Sequence, residues 1–206
     1  FAAIVLIATF YQAPTCTDNT QNQGEAGIDC GGPCPYLCTD QVQPPIVLFT
    51  KAIPNGVGRT DVVAEVENKD LTAAAKAVPY HLMLYGVDHA FLKEVDGTLE
   101  LPPGATVPLF IPNILSGQQT GASAFLTIDP AAVSWFTLPT DPRILPVISN
   151  TVLGGTTDAP RIQAVLSNPT TTTFSGVAVA VLVHDASGNV LAASQTLIPS
   201  IAAQGQ

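Results

Sequence analysis

The chain is poor in charge and poorest in positive charge: 7 Lys and Arg stand against 16 Asp and Glu in 206 residues, and 11% of all residues are charged. A typical globular chain has about a quarter. The cations are scattered singly, which excludes the basic stripe that phosphate backbones require and so excludes nucleic acid as a partner. No Gly-rich loop opens a helix, and a nucleotide is excluded with it. His81, His89 and His184 have no Ser-Asp or Cys partner at a motif spacing, so no catalytic residues can be named and the chain does not read as an enzyme. Apolar runs are also short. The first, FAAIVLIATFY at residues 1–11, would span about 16 Å as a helix, roughly half a bilayer core.

What is present is apolar and β-branched, with 47% hydrophobic residues and a mean hydropathy of +0.34. From Pro44 onward apolar and polar residues alternate with period 2, and Pro or Gly interrupts every eight to twelve residues, which predicts an all-β sandwich. Expected strands cover 46–53, 60–68, 79–87, 90–95, 98–101, 106–114 and 122–128, with turns at Asn55-Gly56, Asp96-Gly97 and Pro103-Gly104. LTAAAKAV, 71–78, reads as a loop or short crossover. A second series follows in PRILPVIS, then 161–168, 175–185 and 189–198. Ala64, Val66 and Asn68 of AEVEN recur as Ala164, Leu166 and Asn168 of AVLSN, so two tandem domains are expected, joined by the proline-set PTDPR. Trp135 reads as a core or junction anchor.

All four cysteines, Cys16, Cys30, Cys34 and Cys38, fall within 23 residues. They lack the paired C-x-x-C spacing of a zinc site, so disulfides in an oxidising compartment are expected, with the pairing open. Asp18, Asn22, Glu25 and Asp29 share that loop without a Lys or Arg nearby. Calcium is the cofactor such oxygens suit, and a merely solvated acidic loop is the alternative, because the spacing is not that of an EF-hand.

The expected organisation is an apolar segment at 1–13, the end of a membrane helix or a donor strand; a cysteine-rich acidic module at 14–43; a first sandwich at 44–140; and a second at 141–206. The first domain follows its PPGAT turn with two more strands, whereas the second reaches Gln206 in the equivalent turn. The expectation is therefore that the natural chain continues beyond Phe1 and Gln206, or that a strand from elsewhere completes an open sheet edge.

Two resemblances bear on location. FSGVAVAVLVHDASGNVLAASQTLIPSIAAQGQ resembles the FxLYD type of immunoglobulin-like domain, with Leu182, Val183, His184 and Asp185 in the L-x-Y-D part and His replacing Tyr. C-x-D-x3-N-x2-E-x3-D-C-G-G-x-C resembles a cysteine box of bacterial surface proteins, where it follows an N-terminal membrane helix and precedes β-sandwich domains. Together they imply two tandem immunoglobulin-like sandwiches on the cell surface, anchored in the membrane or held in a surface assembly such as a filament or layer. The expected partners are the membrane at the N-terminus and copies of the chain itself, through the apolar N-terminal segment and the open sheet edge. A monomeric anchored adhesin, with SNPTTTTFSG (167–176) as its contact loop, is the competing expectation.

Overall fold

The computed structural model describes residues 15–206 apart from 23, 56–57, 118 and 157–158. The apolar segment 1–13, Pro14 and the Gly56 half of the Asn55-Gly56 turn lie outside the described residues. The chain is all-β, and every strand pairing is antiparallel. Among the described residues the helical elements are two short 3-10 turns, Thr39–Gln41 before the strands and Pro130–Ala132 between them.

The first unit is built from β1 (Ile46–Pro54), β2 (Arg59–Glu67), β3 (Ala73–Tyr85), β4 (Phe91–Leu101), β5 (Thr106–Ser116), β6 (Ser123–Thr127) and β7 (Trp135–Thr137). One sheet runs β1-β2-β5 and the other β4-β3-β6, with β7 also pairing β3. β1 lies over β6, and β4 lies over β5. Val62, Ala64 and Val66 of β2 meet Val78, Leu82 and Leu84 of β3 in one apolar core that Trp135 closes at 1% exposure. That burial agrees with the expected role of Trp135.

The structure revises two sequence expectations. LTAAAKAV is not a loop: Ala73, Ala74 and Ala75 begin β3 because they pair with Thr137, Phe136 and Trp135 of β7, a tertiary contact that overrides alanine's poor strand propensity. Ala77, at φ 51°, forms the irregularity that sets the register between Ala75 and Val78. Asp96-Gly97 is not a turn either, because β4 runs through it. Gly97 pairs Tyr80, and a Cβ at position 97 would stand 2.3 Å from the Tyr80 hydroxyl oxygen. Glycine is needed there for side-chain space. Pro103-Gly104 does turn, with Gly104 at φ 58° donating its N–H to Asp70 O at 2.7 Å.

The second unit contributes β8 (Val147–Thr156), β9 (Ala159–Ser167), β10 (Phe174–His184) and β11 (Val190–Ile201), arranged as two hairpins, β8-β9 and β10-β11. β10-β11 repeats the β3-β4 register: Val78 pairs Leu99 and Val177 pairs Ile198, and each hairpin shifts register one step before its tip, at Leu84/Tyr85 and Val183/His184. Between the units, Arg143 grips Asp141 with Nε 3.0 Å from both carboxylate oxygens and Nη2 at 2.8 Å, bracing the PTDPR turn.

Candidate functional site: a disulfide collar and an uncovered half-sandwich

Cys16 pairs with Cys34 and Cys30 with Cys38, which settles the pairing left open by the sequence. The resulting collar docks on the first unit: Leu37 donates its N–H to Trp135 O at 2.8 Å, and Tyr36 bridges Phe136. The four oxygen-bearing residues fall into one hydrogen-bonded chain. Asp29 accepts the N–H groups of Asp18 and Asn19, both at 2.9 Å. Asp18 accepts from Thr20 N–H at 2.9 Å, from Asn22 Nδ2 at 3.0 Å and from the Thr15 hydroxyl. These donors hold the Asp18 carboxyl below the usual carboxylate range, the Thr15 hydroxyl most strongly and Asn22 next.

Glu25 is different. It is 7% exposed, and among the described residues its Oε2 accepts Asn22 N–H at 3.3 Å while Oε1 meets Cys34 Sγ at 3.1 Å. A disulfide sulfur has no proton to donate, so that second approach is a contact and not a hydrogen bond. Among the described residues Asn22 Oδ1 is buried without a partner. Cys16 and Cys34 crowd Glu25 as a metal site would, but their sulfurs are already bonded to each other, so the donors left to a cation are oxygens.

The second feature is a pair of asparagines one hundred residues apart. Asn68 Nδ2 donates to Ala73 O and Pro102 O, both at 2.8 Å, and its Oδ1 accepts Asp70 N–H at 3.0 Å. Asn168 does the same for Thr172 O, Ile201 O and Ala202 O at 2.7, 3.2 and 3.1 Å, and its Oδ1 accepts Thr170 N–H at 2.9 Å. The backbone repeats as well: Asn68 N–H reaches Ala105 O and Asn168 N–H reaches Gly205 O, both at 2.9 Å. Each asparagine ties the end of one strand to two neighbouring segments. The sequence match displayed these residues, and a polar side chain closing an apolar repeat was the signal of their role. The Thr-rich loop expected as an adhesive tip is folded onto this lock, with the Thr170 hydroxyl bonded to Asn168 Oδ1 at 2.7 Å and Thr172 O at 2.9 Å.

The repeat also shows what the second unit leaves open. Ala64, opposite Leu109 of β5 in the same sheet, is 1% exposed in the core, whereas Ala164 is exposed. Ala52 of β1 pairs Val62 and is 7% exposed, whereas its counterpart Leu153, which pairs Ile162, is 61% exposed; Ile148, facing the same way, is also 61% exposed. Among the described residues no strand pairs the second edge of β9 or of β10, the positions that β5 and β6 fill in the first unit. Among the described residues, β8 therefore lacks the counterpart of β6 that faces β1 in the first unit, and β11 lacks the counterpart of β5 that faces β4. On the β11 side a cleft of about 430 Å³ opens between Ala164, Leu166, Ile198 and Ile201.

Conventional chemistry is sparse around these features. His81 Nδ1 sits 2.6 Å from Asp96 Oδ1 across the β3-β4 pair on an exposed face. A shallow groove of about 250 Å³ beside the linker is lined by Lys76, Glu100, Asp141 and Arg143, whose charges are paired or stacked: Arg143 with Asp141 and Glu100, Lys76 over Phe136.

The collar and the hairpins define a class: an all-β chain of sandwich-like antiparallel sheets carrying a small disulfide-closed module. Compared with protein-family models and with curated proteins, the chain matches neither a family nor a relative. Among the described residues no helix is long and apolar enough to cross a membrane.

Proposed function

We propose that this is a non-enzymatic structural protein of the cell surface, a subunit of an assembly whose contacts run through the second unit. One observation carries the reading. Positions that the internal repeat makes equivalent are buried in the first unit and uncovered in the second, with Leu153 and Ile148 presented to water on a face that sandwiches cover. Apolar area removed from water contributes about 25 cal/mol per Å², so such a face favours association. Two disulfides in a collar with little core of its own support an oxidising, extracellular setting. The braced Thr-rich loop weighs against the monomeric adhesin.

Negative-stain microscopy and sedimentation of the full oxidised chain test this. Ordered assemblies, lost on Leu153→Lys with Ile148→Lys, are the expected result. A monodisperse monomer at high micromolar concentration would sink it.

We also place calcium at the collar, on Asn22 Oδ1 and Glu25. These are the two acceptors of the acidic chain that are buried without adequate donors, and burying a carboxylate without a counter-charge is costly. Calcium titration by calorimetry should give a signal in wild type and none in Glu25→Gln. A flat titration of wild type removes the ion.

A further inference from the structure

We infer that the cleft between β9 and β11 is the seat for a donated strand, and that the occupant is residues 1–11 of a second copy. The inference rests on the assembly reading above and adds a second contact beside the Leu153 and Ile148 face.

The template lies within the same chain. In the first unit β2 holds β5 antiparallel, with Val62 opposite Ile111, Ala64 opposite Leu109 and Val66 opposite Val107, and those three β5 residues pack on the core. One hundred residues on, Ile162, Ala164 and Leu166 present the same alternation along β9, and Ile198 and Ile201 form the far wall in place of Leu99 and Leu101. Among the described residues nothing pairs the second edge of β9, so a guest gains a ladder of main-chain hydrogen bonds as well as apolar cover. What fits is therefore an extended strand that is uncharged, apolar on alternate residues, and about as long as β5.

β5 is 11 residues, TVPLFIPNILS, and carries no charge. Once the described strands are assigned, the apolar run that remains is FAAIVLIATFY, also 11 residues and also without charge. Ile4, Val5, Ile7 and Thr9 are β-branched and Phe10 and Tyr11 aromatic, the side chains that suit a pleated surface. Extended, such a run reaches about 36 Å, enough to cover the whole edge of the nine-residue β9. The second opening, beside β10, corresponds to β6, which is only 5 residues long and a poorer match for this run.

The test is disulfide mapping between full-length chains. One copy carries Ala164→Cys; the other carries one cysteine at Ala3, Ile4, Val5, Leu6 or Ile7, and the mixture is oxidised mildly. Because a disulfide needs Cα atoms within about 7 Å and Cβ atoms facing each other, a seated strand gives cross-links at alternate positions. A Leu145→Cys control on the exposed linker gives none. Even cross-linking without alternation, or no cross-link in a chain that still sediments as an oligomer, overturns the inference and leaves the assembly reading standing. Cross-linking of Ala164→Cys to β8 of another copy overturns it likewise. A monomer without cross-links overturns both.

Discussion

Single side chains decide the corners of this protein. Asn68 is 1% exposed and donates to the carbonyls of Ala73 and Pro102, so Asn68→Ala takes the donor from both acceptors at a buried site. Each orphaned group costs about 1–3 kcal/mol. A loss of about 2–4 kcal/mol in urea unfolding is expected on that scale, and a loss below about 1 kcal/mol would show that water replaces the side chain. Asn168→Ala removes an equally connected residue from a unit with a less complete core. Its expected effect is local, read as faster amide exchange at Thr170 and Gly205 with the main transition little moved.

Carboxylates also act at this scale. Asp18, Asp141 and Asp185 are held below the ordinary aspartate value, first by the side chains of Thr15, Arg143 and Asn189 respectively. A depressed folded-state value means the stabilisation is present above the unfolded value of about 3.9 and is lost as pH falls through the folded one. Stability should therefore be level above about pH 5 and decline below about pH 4. Circular dichroism melts across pH 2–7 check this; a decline beginning near pH 6 would point to other groups.

Among the elements, the β3-β4 pair depends on a space that only glycine leaves. Gly97→Val would drive a side chain into Tyr80, whose hydroxyl oxygen and ring lie 2.3 to 2.9 Å from the added Cβ. Overpacking of this kind costs about 1–3 kcal/mol. Tyr80→Ala in the same chain should return part of that loss, because it removes the obstacle; purely additive effects would place the strain in the backbone instead. This pair also shows where local sequence misleads. Asp-Gly is a strong hairpin signal, but Gly97 has no positive φ and β4 passes straight through it. The alanine run before Val78 reads as a loop because its partner, Trp135, lies about sixty residues away in sequence.

For the molecule as a whole, the collar and the sandwich are expected to be separable in stability. The disulfides span 18 and 8 residues, and closing loops of that size contributes about 2–4 kcal/mol each by the chain-entropy model. Reduction should therefore unfold the collar while the first unit, with its own core from Val62 to Trp135, keeps its melting transition to within a few degrees. Limited proteolysis before and after reductant distinguishes this from one cooperative unit, which would be cut throughout. Leu153→Lys and Ile148→Lys belong here too. Both residues are uncovered, so in a dispersed chain each substitution should change stability by less than about 0.5 kcal/mol, while assembly is lost.

The sequence determined the strand periods, the tandem repeat, the Pro103-Gly104 turn and the presence of a cysteine-bound acidic module, because these are written in residues close together along the chain. The tertiary structure decided the disulfide pairing, the strand character of Ala73 to Ala75, the passage of β4 through Gly97 and the two asparagine locks. Each of these depends on partners brought together across tens of residues. It also decided which half of the repeat is covered. Ala64 and Ala164 are the same residue in the same local pattern, and only the completed pair of sheets around Ala64 makes it core.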